Sequence, residues 1–220
     1  LLGMEVPIVG RADELAQVRA ALGAASGGAG RLLLVGGEPG IGKTRLVSAA
    51  VDMAGDHGVA VASGHAIDDP GMPPLWPWRR LGRAVPALAE VLARAVPSDA
   101  ADSAAARFEM FSDACQALAD RAAAGGLLVV LEDLQWADRT SLLLLRHLVG
   151  ELAHAGLLVV TTFRETAGSP MADLLPALLR ADVTRSIRLG GLSGADIARW
   201  LRQVRTAGDV AALADRLRVR

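Results

Sequence analysis

Eight consecutive residues, Gly37-Glu38-Pro39-Gly40-Ile41-Gly42-Lys43-Thr44, fit the spacing G-x-x-x-x-G-K-[S/T] without a departure. Glycines at these places let the backbone curl, so that successive N–H groups converge on an anion. A helix starting behind the loop presents its positive end to the same anion. Lys43 is a compact cation able to reach the β- and γ-phosphates of a nucleotide, and Thr44 offers a hydroxyl to Mg²⁺. Lys43 is also the only lysine among 23 basic residues; the rest are arginines. A compact ammonium is what this loop needs, and the planar fork of Arg would not serve. The bland alternative is a Gly-rich strand-to-helix turn that matches by accident. The apolar strand before it and the helical pattern after it favour the nucleotide reading.

Two further groups of residues suit the same chemistry. Leu127–Leu131 is a wholly apolar strand that ends in Glu132 and Asp133. One carboxylate can hold a metal through its water shell. The other, expected on the opposite face of the strand, can polarise an attacking water. A second apolar strand, Leu157–Thr162, leads into Phe163 and Arg164. If it lies beside the acidic strand, it carries a polar sensor to the γ-phosphate. Arg164 is the first candidate, with Thr161 and Thr162 behind it. An ordinary surface arginine after a strand is the competing reading.

The elements that must position these groups follow from periodicity. A helix is expected from about Ala12 to Ala25, with Leu15, Val18 and Leu22 on one face. A strand follows at Arg31–Val35, a helix at about Arg45–Ala54 closed by Gly55, and a strand at Val59–Ser63. Asp68–Trp78 holds four prolines and two tryptophans, and is expected to be neither a regular helix nor a central strand. Helix is expected over Arg79–Ala95 with a break at Pro86, then a linker over Pro97–Ser103. A helix over Ala104–Ala124 should end at Gly125-Gly126. Thr140 is the expected cap of a helix running to about Ala155. The remaining expectations are a short helix at Leu174–Arg180 and a strand at Ser186–Leu189. Ser193 with Asp196 should form a capping box for a helix through Trp200. A last helical piece is expected at Asp209–Arg218. Strands alternating with helices predict an α/β fold with a mostly parallel sheet and its ligand at the carboxyl ends of the strands. The expected division is a lead-in motif and helix over 1–30, a core over 31–190, and the start of a helical lid, cut short, over 191–220.

Composition narrows the class further. The 220 residues are 52% hydrophobic and carry a formal net charge of −1. A sizeable core is affordable, and no basic excess argues for nucleic-acid binding by this segment. Apolar runs fall far short of the roughly 20 residues of a membrane span. The first five residues have no positive region or cleavage pattern, so a secretory signal is not expected. A single cysteine, Cys115, fits the reducing cytoplasm. Cys115 reads as a small buried hydrophobe. His65, Asp68 and Asp69 read as loop polarity rather than a metal site. His147 and His154 are two helical turns apart, too far to share a metal without outside ligands. Trp76 and Trp78 suit burial under the Pro-rich loop as well as a partner-binding lip, and Arg199–Arg220 reads as a solvated helix face.

Three segments together resemble one family. Ile8-Val9-Gly10-Arg11-Ala12-Asp13-Glu14-Leu15 is similar to the "GRxxEL" motif of STAND-type regulatory ATPases. Gly36–Leu46 is similar to their "GEPGIGKTRL", and Leu131–Asp138 to their "EDLxWAD". The wording resembles most the large ATP-binding regulators of the LuxR family, bacterial transcription factors of the maltose-regulator type, over about Val6 to Arg218. The resemblance implies a P-loop NTPase core of the AAA/ASCE kind. It implies Val9, Gly10 and Arg11 near the adenine, and Gly37 through Arg45 at the phosphates of ATP or ADP. It implies Thr44 and Glu132 at Mg²⁺, Asp133 as the catalytic acid and Arg164 as a sensor. ATP binding would favour an open, self-associating state that hydrolysis resets. DNA would be met only by an output domain outside these residues, and no membrane is implied. Two positions depart from the family pattern: Glu132 stands where Asp is commoner, and Asp133 where Glu is commoner. Each exchange moves a carboxylate by one methylene, so slow hydrolysis is expected. A nucleotide-holding module without useful turnover is the alternative, as is an ATPase module of a cyclase- or kinase-linked signalling protein. Leu1–Gly3 ahead of Met4 suggests an altered start.

Overall fold

A computed structural model describes residues 8–94, 103–166 and 168–206. Five strands form one sheet in the order β2-β3-β4-β1-β5, with every neighbouring pair parallel. In chain order the elements are α1 (Ala12–Ser26), β1 (Arg31–Gly36), α2 (Lys43–Asp56) and β2 (Ala60–His65). Next come α3 (Trp76–Leu81), α4 (Pro86–Arg94), α5 (Ser103–Ala122) and β3 (Leu127–Glu132). The chain continues through α6 (Arg139–Glu151), β4 (Leu157–Phe163), α7 (Pro170–Leu179), β5 (Thr184–Arg188) and α8 (Gly194–Thr206). Short 3₁₀ turns follow β3 at Leu134–Trp136 and α6 at Leu152–His154. Among the described residues no helix is long and apolar enough to cross a membrane.

The unbroken apolar runs have a direct cause. Successive side chains of a strand point to opposite faces, so a strand covered on both sides must be apolar throughout. Leu32, Leu34, Leu127, Val129, Leu131, Leu157 and Val159 face a core built with α3 to α7. Their neighbours Leu33, Val35, Leu128, Val130, Leu158 and Val160 face a second core built with α1 and α2. The expected parallel α/β architecture is therefore present as three layers.

Several element ends differ from the sequence expectation, each for a local reason. α2 starts at Lys43 rather than Arg45, because left-handed Gly42 (φ 105°) turns the loop directly into the helix. Trp76–Trp78 is helical after all: Pro77 sits in the first turn, where a missing N–H costs nothing. Pro86 opens α4 instead of breaking a longer helix. The cap of α6 is Asp138, whose side chain accepts from Ser141 N, and not Thr140. The helix proper stops at Glu151, and Leu152–His154 tightens into the 3₁₀ turn. α7 begins earlier than expected, at Pro170, because the Ser169 hydroxyl accepts from Ala172 N. The final strand lies at Thr184–Arg188 rather than Ser186–Leu189. The Ser193 cap is present: its hydroxyl accepts from Asp196 N at 3.1 Å and donates to the Asp196 carboxylate at 2.5 Å. The helical piece at Asp209–Arg218 lies outside the described residues, as does the Pro97–Ser103 linker except Ser103, which starts α5.

Candidate functional site

The sheet order places β1 between β4 and β5, with β3 beyond β4. Three chain segments far apart in sequence therefore meet at one rim: the loop after β1, the acids after β3 and the turn after β4. This is the carboxyl end of a parallel sheet, where ligands of such folds sit.

The loop carries left-handed backbone at Gly37 (φ 152°), Gly40 (φ 74°) and Gly42 (φ 105°). A Cβ on Gly37 would lie 3.0 Å from Leu189 O, so a side chain there is both strained and crowded. Glu38, Pro39 and Gly40 form the exposed crest, and Ile41 is half-buried. Lys43 is 8% exposed, and its Nζ donates to Gly37 O at 2.8 Å and Glu38 O at 2.9 Å. The ammonium is thus folded back onto the loop's own carbonyls. Burial lowers the Lys43 pKa below the ordinary lysine value, and the Arg164 guanidinium lowers it further, against the pull of Asp133 and Glu38. Arg164 Nε is buried without a partner among the described residues. Two neighbouring cations with spare donors make a hole that fits a polyphosphate.

The acids are arranged differently from the expected opposite faces of one strand. Glu132 is the last residue of β3, while Asp133 lies beyond it in left-handed conformation (φ 57°, ψ 41°). This is costly backbone for a residue other than glycine. It is held by the Thr162 hydroxyl, which accepts from Asp133 N at 2.9 Å. Burial raises the Glu132 pKa, as does the Asp133 carboxylate; a hydrogen bond with the Thr44 side chain and the charge of His65 work the other way. Thr44 and Glu132 therefore face one another across the site. A hydroxyl and a carboxylate are hard oxygen donors of the kind Mg²⁺ takes, so the residues present fit that ion. His65 is not a loop residue: it ends β2 in register with Glu132.

Sequence reasoning missed Gln135, which is 6% exposed. Its Nε2 donates to Asp133 Oδ1 at 3.1 Å, and its Oε1 accepts from Arg164 N at 3.0 Å. Nothing in the sequence marks it except its place inside the acidic motif. Of the lesser sensor candidates, Thr162 is engaged with Asp133, while Thr161 is fully buried and its hydroxyl has no partner among the described residues.

Beside the loop lies a cavity of about 340 Å³. Ile8, Val9 and Arg11 line it from the lead-in segment, and Ile41, Gly42 and Arg45 from the loop and α2. Leu192 and Trp200, not singled out from the sequence, close it from the α8 side. Arg11 is 9% exposed and donates to Gly190 O at 2.6 Å, Ile41 O at 3.2 Å and Glu14 Oε1 at 3.2 Å. Gly10 (φ 69°) lets the lead-in pass close to α8, since a Cβ there would sit 2.6 Å from Asp196 Cγ.

Cys115, His147 and Trp78 have partners of their own. Cys115 is buried, and burial together with Glu151 pushes its thiol up to about 12. Cys115, His147 and Glu151 bring their ligand atoms within 4.8 Å of one another, and His147 Nε2 is 3.2 Å from Glu151 Oε1. Trp78 is buried and donates to Ser141 O at 3.0 Å.

A family profile described as an AAA ATPase domain matches residues 7–160. No curated protein matches. Among solved structures, a STAND protein with a tetratricopeptide repeat sensor from Pyrococcus horikoshii is 17% identical with a TM-score of 0.55, covering 93% of this chain and 26% of that one. The Aeropyrum pernix ORC1 protein, solved in complex with DNA, is 19% identical with a TM-score of 0.55, covering 98% and 58%. AMPPCP-bound DnaA from Aquifex aeolicus is 17% identical with a TM-score of 0.51, covering 90% and 51%. At these identities the likeness is one of fold, and this chain spans less than two thirds of each of those proteins. The parallel sheet, the phosphate loop and the matched profile agree: the chain belongs to the AAA ATPase domain family.

Proposed function

We propose that this chain is an ATP-binding, slowly hydrolysing switch domain of a bacterial LuxR-family transcriptional regulator. The observation that carries the nucleotide part is the convergence of Lys43, Arg164, Thr44, Glu132 and Asp133 on one rim of the sheet. The adjoining cavity is of the size small-ligand sites have and is mainly apolar, which suits a purine base. In this reading the base lies against Val9, Gly10 and Arg11, and Gly37 through Arg45 wrap the phosphates. The loop N–H groups and Lys43 bind the β- and γ-phosphates, with the ammonium leaving its two carbonyl partners for phosphate oxygens. Thr44 and Glu132 would hold Mg²⁺, which supplies neutralisation of phosphate charge when bound. Asp133 orients a water and accepts its proton as the water oxygen bonds to the γ-phosphorus and the bond to the ADP oxygen breaks. Arg164 stabilises charge on the γ-phosphoryl oxygens.

The LuxR assignment is supported by the wording of the three motifs around Arg11, Lys43 and Asp133. ATP would then act by favouring one arrangement of the domain and self-association over another, with DNA met by an output domain. Cytoplasmic location goes with that assignment.

The direct test is Mg-ATP binding and phosphate release by the parent chain, Lys43→Ala and Asp133→Asn. The expected result is binding with slow turnover in the parent, loss of binding in Lys43→Ala, and binding without turnover in Asp133→Asn. No binding by the folded parent overturns the proposal. Binding with no release in the parent favours the nucleotide-holding module. The coding sequence beyond Arg220 tests the regulator assignment: a helix-turn-helix supports it, and a cyclase or kinase domain in its place overturns it.

A further inference from the structure

Gln135 is a buried amide inside the site, and both of its arms are occupied. Its Nε2 donates to Asp133 Oδ1 at 3.1 Å, and its Oε1 accepts from Arg164 N at 3.0 Å. The first partner is the acid expected to orient water; the second is the backbone of the residue expected to meet the γ-phosphoryl group. Asp133 and Arg164 come from different strands, β3 and β4, and neither is inside its strand. Asp133 is held in left-handed backbone beyond β3, and Arg164 is the first residue beyond β4. Residues just outside a sheet have no ladder to fix them. A second bond, from Asp133 N to Thr162 Oγ1, pins the Asp133 backbone but leaves its carboxylate free to rotate. Gln135 is therefore the group that sets where Oδ1 stands relative to the Arg164 turn.

We infer that Gln135 is a positioning residue that holds the Asp133 carboxylate in register with the Arg164 turn, so that the acid and the sensor act on one γ-phosphoryl group. This rests on the ATPase reading for its purpose, and on geometry alone for its existence. The chemistry of the side chain is specific. One arm must donate to a carboxylate and the other must accept from a backbone N–H, which an amide does at this length. A carboxylate in its place keeps the acceptor but loses the donor and sets a like charge beside Asp133. A thioether of similar length keeps neither.

The test uses Gln135→Glu and Gln135→Met in the full chain, with two readouts. The first is steady-state ATP hydrolysis. The expected result is a kcat lowered by about tenfold or more in both variants, with KM for Mg-ATP within about threefold of the parent, because alignment and not phosphate binding is lost. The second is amide hydrogen exchange at Arg164 in the nucleotide-free protein. Exchange there should quicken about tenfold in Gln135→Met, the size of one lost hydrogen bond, and stay near the parent's rate in Gln135→Glu. General loosening of the fold would quicken exchange throughout β4 in both variants and would overturn the assignment. Unchanged kcat in both variants of a turning-over parent overturns it too. In a parent that binds but does not hydrolyse, the ATPase reading fails by itself. The exchange pattern then decides the Gln135 link alone, Arg164 protection lost in Gln135→Met only supporting it and any other pattern refuting it.

Discussion

Replacing Arg11 by methionine removes a charged group that ties three parts of the molecule together, and its cost follows from the structure. The guanidinium donates to Gly190 O at 2.6 Å, in the connection between β5 and α8, and to Ile41 O at 3.2 Å, in the phosphate loop. It also pairs with Glu14 at 3.2 Å, where the two side chains are 9% and 17% exposed. A hydrogen bond to a charged group is worth about 1.5–3 kcal/mol net, and taking the low end for the two carbonyls gives about 3 kcal/mol. The Glu14 pair adds up to ~1 kcal/mol. Methionine fills most of the volume, so little cavity cost is added. The expected loss is then about 3–4 kcal/mol, which for a chain of this size lowers Tm by roughly 10 °C. Urea and thermal denaturation of the nucleotide-free protein measure it. Amide exchange should quicken selectively in α8, which follows Gly190 closely. Arg11→Lys should recover only part, since one ammonium cannot span the three acceptors. A loss below ~1 kcal/mol would refute the reasoning, by showing that water satisfies the freed carbonyls.

Two more predictions concern groups away from the nucleotide. Asp138→Ala removes the α6 cap and also the acceptor for Leu75 N at 3.0 Å, so the unfolding free energy from urea denaturation should fall by about 2–4 kcal/mol, with Asp138→Asn losing less. Cys115 gives a signal at alkaline pH, readable because the chain has no tyrosine and one lysine. Its folded thiol is held up to about 12, above the ordinary cysteine value of 9.0, so the unfolded chain ionises first. The unfolded state then binds fewer protons between those values, and stability falls as pH rises through that window. Lys43, whose pKa is lowered on folding, shifts stability in the opposite sense. The pH dependence of the difference between parent and Cys115→Ala isolates the thiol: the parent's stability advantage from packing should narrow above pH ~9, and a gap that stays constant with pH would refute a buried protonated thiol. The same thiol should resist alkylation at pH 8 until the protein unfolds.

The phosphate loop and the acidic strand end were legible because their chemistry restricts residue type at fixed spacing. Lys43 has no substitute within 23 basic residues, and Leu127–Leu131 is apolar on both faces because both faces are covered. What stayed hidden depends on partners distant in sequence. Asp138 and Thr140 are both fair caps for α6; Asp138 caps it and also receives Leu75 N, 63 residues away. Gln135 is an unremarkable amide until β4 brings Arg164 beside it. The left-handed turn at Asp133 has only a weak local signature, since aspartate tolerates that backbone better than most residues but takes it far less readily than glycine. Leu192 and Trp200 line the cavity only through the approach of α8 to the lead-in segment, which Gly10 permits.

The strand order also dictates when the site comes into being as the chain folds. β1 is made first but lies between β4 and β5, so Arg31 must wait for Leu158 and Leu32 for Thr184. Until more than 120 further residues have emerged, β1 has no neighbour on either side. Closing so long a loop is slow compared with forming local helices such as α1 and α2. A nascent chain that already contains the whole phosphate loop therefore still lacks its central pairing, with both edges of an apolar strand open to the wrong partner. If this rim holds phosphate as proposed, that ability is a late event in folding, and a chain that captures ligand has already finished its sheet.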